Sequence, residues 1–248
     1  MTVENNMDEC TFSSSVREKI RSAKASVKFS LEHPIAGVNV FVFQNRYDMA
    51  MSFVRIQEFY ESPNPRFRGK YFKLEDYMDW YVKESGSDSF MYPSEWAGFN
   101  VPGDAWWRFG EAFAGHADFR LKEVALKLPF SCHDAAKIKA MYFIGICEKG
   151  GRKSDIRHEL AHALWYLRKW FGGYGAIARA LVSRLPVPLR MGLRKSLLSQ
   201  GYCKAVLDDE INAYLSVGNT VPGYGRVPSA VAKPFQALLK VELKGHGL

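Results

Sequence analysis

No stretch of the chain approaches the roughly 18–20 consecutive apolar residues of a membrane-spanning helix, so no membrane span is expected. The opening residues, MTVENNMDEC, lack the basic start, apolar run and small-residue cleavage site of a secretory leader, although a specialised secretion route needs no such leader. Cysteine is scarce. Cys10, Cys132, Cys147 and Cys203 are scattered and form no C-x-x-C pair, so free thiols in a reducing, cytoplasmic compartment are expected. There is no internal repeat, heptad or low-complexity tract. "GGYG" at 172–175 has neither the preceding strand nor the following Gly-Lys-Ser/Thr of a phosphate loop. No Ser-His-Asp or Cys-His arrangement can be argued. Histidine is also rare, with six residues in 248, which makes the position of each informative.

What is present is an ordinary folding composition, 47% hydrophobic and 24% charged, with a 14% aromatic share that predicts a core of Phe, Tyr and Trp. The length suits one large domain or two small ones. The net charge of +8 is unevenly placed: residues 151–248 carry 15 Lys/Arg against 6 Asp/Glu, residues 1–150 carry 19 against 20. The segment 163–207 holds eight basic residues and no acidic one. This asymmetry suits either an acidic partner at the basic C-terminal half or a solvated helical face. No recognised nucleic-acid motif accompanies it, so nucleic acid is not the expected partner.

Periodicity and turn signals predict a helix-rich α+β fold with a small sheet. Residues 1–12 read as a frayed end and 13–29 as a helix capped at Ser13–Ser15. Buried strands are expected at 37–43 and 137–147, behind Gly37 in the first case. Helices are expected at 47–62, 74–84, 105–127, 155–170 (with Asp155 as N-cap), 176–185, 189–200, 206–217 and 229–242; 63–70, 148–155 and 218–228 read as turns and loops, and 85–104 as loop-like with short extended pieces. In the 47–62 helix, Arg55, Glu58 and Glu61 are expected on a solvated face, a cleft wall being the alternative. The shift in charge suggests dividing the chain into 1–130, of unknown type, and 131–248, unless the two form one continuous domain.

One stretch carries chemistry: "RHELAHALWYLRKW", 157–170. Histidines at i and i+4 lie one turn apart on the same helix face, so His158 and His162 can converge on one ion. Glu159, directly after the first, stands beside that ion and can accept a proton from water there. This is the content of H-E-x-x-H: two ligands and a general base. Zinc supports such a site by lowering the pKa of bound water toward about 7. Ile156, Leu160, Ala163, Leu164 and Leu167 supply the apolar face that buries the helix.

Two histidines alone hold zinc weakly, so a third protein ligand is required. The extended H-x-x-G-x-x-H pattern fails, because Trp165 and Arg168 occupy the Gly and His positions, and no histidine follows His162 until His246. A carboxylate is therefore expected. Downstream there are Asp208, Asp209, Glu210 and Glu242, three of them together in "LDDEINAYL" (207–215). Helix register puts Glu210 and Ala213 on nearly the same face, and a small residue one turn from a carboxylate lets two helices pack closely.

The pair of motifs, H-E-x-x-H at 158–162 and E-x-x-A-Y at 210–214, resembles the zincin metallopeptidases, specifically their glutamate-ligand, gluzincin-like branch. The resemblance covers about 80 residues, Lys137 to Leu215, and identifies a superfamily, not a single family. It implies a zincin-like metal-binding helix pair and a zinc metallopeptidase acting on a protein or peptide substrate. His158, His162 and Glu210 would be ligands, and Glu159 the base that activates water and then protonates the leaving amine. It also implies an edge strand beside the metal that pairs with substrate, for which "AMYFIGIC" (140–147) is the candidate, Gly145 admitting a close chain. Tyr214 stands where thermolysin-like enzymes have Asp; it is a candidate oxyanion donor or a core residue. Asp208 or Asp209 could orient a ligand histidine. Competing readings are a non-catalytic binding or regulatory module with a metal clip, and a basic nucleic-acid-binding protein.

Overall fold

The structure, a computed structural model, describes residues 27–114, 116, 135–148, 153–169 and 172–248. The expected N-terminal end and the 13–26 part of the first helix, with its Ser13–Ser15 caps, lie outside those residues, as do Cys10, Cys132 and His133.

The sheet grows from the two runs richest in β-branched and aromatic residues. β1 (Phe29–Glu32) alternates half-buried and exposed positions, as a one-sided edge strand should. It pairs antiparallel with β2 (Val38–Phe43), which is buried almost throughout. β3 (Gly98–Pro102) pairs antiparallel with β4 (Tyr142–Cys147), and β4 runs parallel to β2, Val38 opposite Tyr142 through Phe43 opposite Cys147. The order is β1-β2-β4-β3. Three strands thus come from before residue 130 and one from after it.

A parallel pair needs a long crossover. Here it runs through α1 (Arg46–Glu61), α2 (Leu74–Ser85), α3 (Tyr92–Glu95), β3, α4 (Gly103–Phe113) and α5 (Ala135–Lys139). Strand alternation then divides the core in two. Phe41, Phe43, Phe99, Val101 and Phe143 face α1 and an aromatic cluster that includes Phe53, Phe59 and Phe113. Val38, Val40, Tyr142 and Ile144 face the opposite layer, built from α6 (Lys153–Leu167), α7 (Tyr174–Arg184), α9 (Leu207–Val217) and α10 (Ser229–Gly245). α8 (Val187–Ser199) and the short ladder β5 (Thr220–Val221) and β6 (Gly225–Arg226) extend that layer around Ile211, Leu215 and Phe235. The molecule is helix-rich with small sheets, an α+β arrangement. Among the described residues no helix is long and apolar enough to cross a membrane.

Several local expectations change. α1, capped by Asn45 Oδ1 accepting from the Asp48 N–H at 2.8 Å, is buried on nearly every side from Met49 to Phe59. Arg55 and Glu58 are therefore interior, not on a solvated face. Lys137–Lys139 belong to α5, and the strand starts only at Tyr142. β4 is an inner strand, flanked by β2 and β3, so it offers no free edge to a substrate. Gly145 admits the Phe53 ring instead: a Cβ there would lie 2.5 Å from that ring. Phe29 begins a strand, and the helix expected from 105 runs from Gly103 to Phe113, with 117–127 outside the description. Asp155 lies in the first turn of α6 instead of capping it, where a carboxylate still favours the helix dipole.

Candidate functional site

α6 and α9 pack against each other behind the sheet, and Ala161, Ala163 and Ala213 are fully buried in that layer. That close approach brings Glu210 on α9 beside the two histidines of α6. His158 Nε2 lies 3.1 Å from His162 Nε2, His162 Nε2 lies 3.6 Å from Glu210 Oε1, and His158 Nε2 lies 3.8 Å from Glu210 Oε2. One donor atom from each residue falls within 4.8 Å of the others. In a tetrahedral zinc site with bonds of about 2.0–2.1 Å, neighbouring ligand atoms stand roughly 3.3–3.4 Å apart. Two nitrogens and a carboxylate are also a zinc-type donor set. Glu210 Oε2 is buried without a hydrogen-bond partner, a state that costs about 1–3 kcal/mol unless another group satisfies it. The three residues fit a divalent ion.

Asp209 stands behind the cluster. Its Oδ1 is 3.0 Å from His162 Nδ1, a contact between buried atoms more than a well-aligned hydrogen bond. It is the carboxylate placed to hold His162 with Nε2 turned inward. Asp208 points the other way, taken by Arg194 at 2.8 and 2.5 Å. α9 is itself anchored from α7, where Tyr174 OH donates to Asn212 Oδ1 at 3.2 Å and lies 3.1 Å from Ser216 Oγ.

Burial governs the electrostatics. It holds His158 well below the usual histidine range, helped by the neighbouring His162, so His158 is neutral. Burial also opposes charge on His162, but Asp209 and Glu210 outweigh it and raise that pKa to about 10. Burial lifts Glu210 to about 8 and raises Glu159 above the ordinary carboxylate range.

Glu159 is held from β3, the terminal strand of the sheet. Asn100 Nδ2 donates to Glu159 Oε2 at 2.9 Å, and Tyr142 OH donates to Asn100 Oδ1 at 2.6 Å. Gly98 leaves room for that carboxylate, because a Cβ there would lie 2.7 Å from Glu159 Oε1. The pleat explains both contacts. Phe99 and Val101 turn to the aromatic core, so Gly98 and Asn100 turn toward α6. The Gly103 N–H to Met141 carbonyl bond at 2.9 Å sets the ladder alternation, which leaves the backbone groups of Gly98 and Asn100 on the side of β3 away from β4.

A cavity of about 280 Å³ opens over these groups, lined by His158, Glu159 and Glu210 with Gly98, Asn100 and Tyr214. The Tyr214 ring lies 4.6 Å from that of His158, and its OH is 2.8 Å from Tyr202 OH. Burial, with Glu210 second, raises the Tyr214 pKa, so it keeps its proton and can donate. Glu61 lines the same cavity; burial and then Glu210 raise its pKa well above the carboxylate range. None of the basic residues of 163–207 lines it. His246 and Glu242 pair 3.6 Å apart on and just beyond α10, and His116 stacks on Tyr71; neither histidine belongs to the cavity.

Sequence reasoning passed over Gly98, Asn100, Gln57 and Tyr202, and it put Glu61 on a solvated face with a cleft wall as the alternative, which is where Glu61 lies. The first two sit in an aperiodic loop-like stretch, and only the strand pairing turns them toward α6. Compared with protein-family models, curated proteins and solved structures, the chain matches none of them. A functional reading therefore rests on the site.

Proposed function

We propose that the chain is a zinc-dependent metallopeptidase of zincin type, with α6 and α9 as its metal-binding helix pair, working in a reducing, cytoplasmic setting where the buried thiols of Cys147 and Cys203 stay free. The carrying observation is the convergence of His158, His162 and Glu210, with an unsatisfied Glu210 oxygen, at the cavity lined by His158, Glu210 and Glu159. The three residues would hold the ion, which when bound supplies Lewis acidity toward a carbonyl oxygen and toward water. Asn100 leaves Glu159 Oε1 free to take a proton from water at the carbonyl carbon and pass it to the leaving nitrogen. A base in this apolar enclosure is poised nearer neutrality than an exposed carboxylate, which suits both transfers. Tyr214, protonated and beside His158, can donate to the developing oxyanion. The outward backbone groups of Gly98 and Asn100 suit an extended peptide added along β3, the role expected of 140–147. The adjoining cavity favours this reading over a closed metal clip.

Glu159→Gln preserves size and the Asn100 contact. Peptide cleavage should fall about 10²–10⁴-fold, while zinc content by elemental analysis stays that of the parent. Undiminished cleavage at equal zinc content would overturn the role of Glu159.

A further inference from the structure

A second chamber of about 440 Å³ adjoins the first, and Gln57, Glu61, Glu95, Trp96 and Tyr202 line both. Its walls are aromatic, with Tyr77, Trp80, Tyr81 and Tyr92 completing the enclosure. Its ionisable side chains besides the tyrosines are all acids: the buried Glu58 and Glu61, held toward their neutral forms by burial, and the exposed Glu95 line it, and no Lys, Arg or His does. In a chain of net charge +8 this is a local feature, not a bulk one. The tyrosines keep the acids in place without neutralising them. Tyr92 OH donates to Glu58 Oε1 at 3.0 Å and Tyr81 OH donates to Glu95 Oε2, leaving lone pairs on each carboxylate. An independent sign comes from Gln57, which is 2% exposed and whose Oε1 has no hydrogen-bond partner. Its Nε2 already donates to Glu61, so what the side chain lacks is a donor. Aromatic faces, acidic groups with no basic side chain among them and an unused buried acceptor share one complement, a cation rich in N–H groups with a long apolar stem.

We propose that this chamber is the specificity pocket for an arginine or lysine side chain of a peptide lying across His158, His162 and Glu210. The proposal takes its peptide from the metallopeptidase reading, but the pocket is testable without turnover. The selectivity is thus set by the acidic wall of the cleft; the 163–207 segment reaches it only through Gln200, Gly201 and Tyr202, and none of that segment's basic residues lines it.

The experiment uses the full chain carrying Glu159→Gln and follows tryptophan fluorescence, Trp80 and Trp96 lining the chamber, on titration with N-acetyl-arginine methylamide. The uncharged citrulline isostere and the norleucine analogue are titrated in parallel. The arginine probe should bind at least about tenfold more tightly than citrulline, the scale of one charge-assisted hydrogen bond. Adding Glu95→Gln, an exposed position that does not threaten folding, should remove most of that ratio and leave norleucine unchanged. Equal binding of arginine and citrulline probes, or a ratio indifferent to Glu95→Gln, overturns the pocket. The parent enzyme is then given a peptide library. Cleavage without enrichment of Arg or Lys at any position overturns the pocket and leaves the peptidase standing. Selective arginine binding with no cleavage of basic peptides leaves the pocket and overturns the peptidase.

Discussion

A methyl group at position 98 would meet the carboxylate of Glu159, and that contact can be used. The obstacle is the end of a flexible side chain, so Gly98→Ala should fold and displace Glu159 from Asn100 instead of breaking the strand. Misplacing a catalytic group by about 1 Å costs roughly 10²-fold in rate. We expect a loss of that order in kcat, with parental zinc content and a thermal midpoint near the parent's. A fall in zinc content equal to the fall in rate would assign Gly98 to the metal and not to the base. At this scale the sequence was partly legible. His158, Glu159 and His162 are separated by helix spacing alone. Asn100 is 59 residues from Glu159, and no local pattern marks it, because its role depends on which way β3 is pleated.

Between elements, α6 and α9 assemble a cluster whose protons would compete with the proposed ion. Without metal, His162 titrates at about 10 and Glu210 at about 8, so both hold protons at pH 7, and a ligand must give its proton up to bind. Zinc uptake measured calorimetrically at pH 7 should release about one to two protons per ion, read from its dependence on buffer ionisation enthalpy, and apparent affinity should rise with pH. Heats independent of the buffer would contradict the pairing. Asp209→Asn removes the carboxylate behind His162 and should weaken zinc about 10–100-fold, the usual scale for a partner that orients a ligand. Glu210 was singled out by acidic residues being so few downstream of His162 and by Ala213 one turn on. Which of the three neighbouring acids does what depends on the rotation of α9 against α6, which spacing along either helix does not fix.

For the molecule as a whole, the buried acids link stability to pH. Glu210 has a folded-state pKa of about 8 against an ordinary 4.5, so the stability it contributes is present below 4.5 and lost as pH rises through 8. His162, raised from 6.5 to about 10, contributes stability that is complete below 6.5 and lost as pH rises through 10. Both act in one direction. The thermal midpoint of chelator-treated protein should therefore fall between pH 5 and pH 9, and the gain on adding zinc should grow over the same range. A chelated midpoint that rises across this range would show that these groups do not govern it.

Composition and local spacing alone determined the helices α1, α2 and α6 to α10, the two inner strands, the presence of a metal-type motif and the aromatic character of the core. These follow from side-chain period and residue chemistry within a turn or two of chain. Tertiary structure decided the rest. It buried Arg55 and Glu58 by closing aromatic walls around α1, made β4 an inner strand and β3 the sheet's edge, and put Gly98 and Asn100 against Glu159. It also gathered Gln57, Glu61 and Glu95 beside the histidines. Those placements arise from pairing between distant parts of the chain, and no local spacing encodes them.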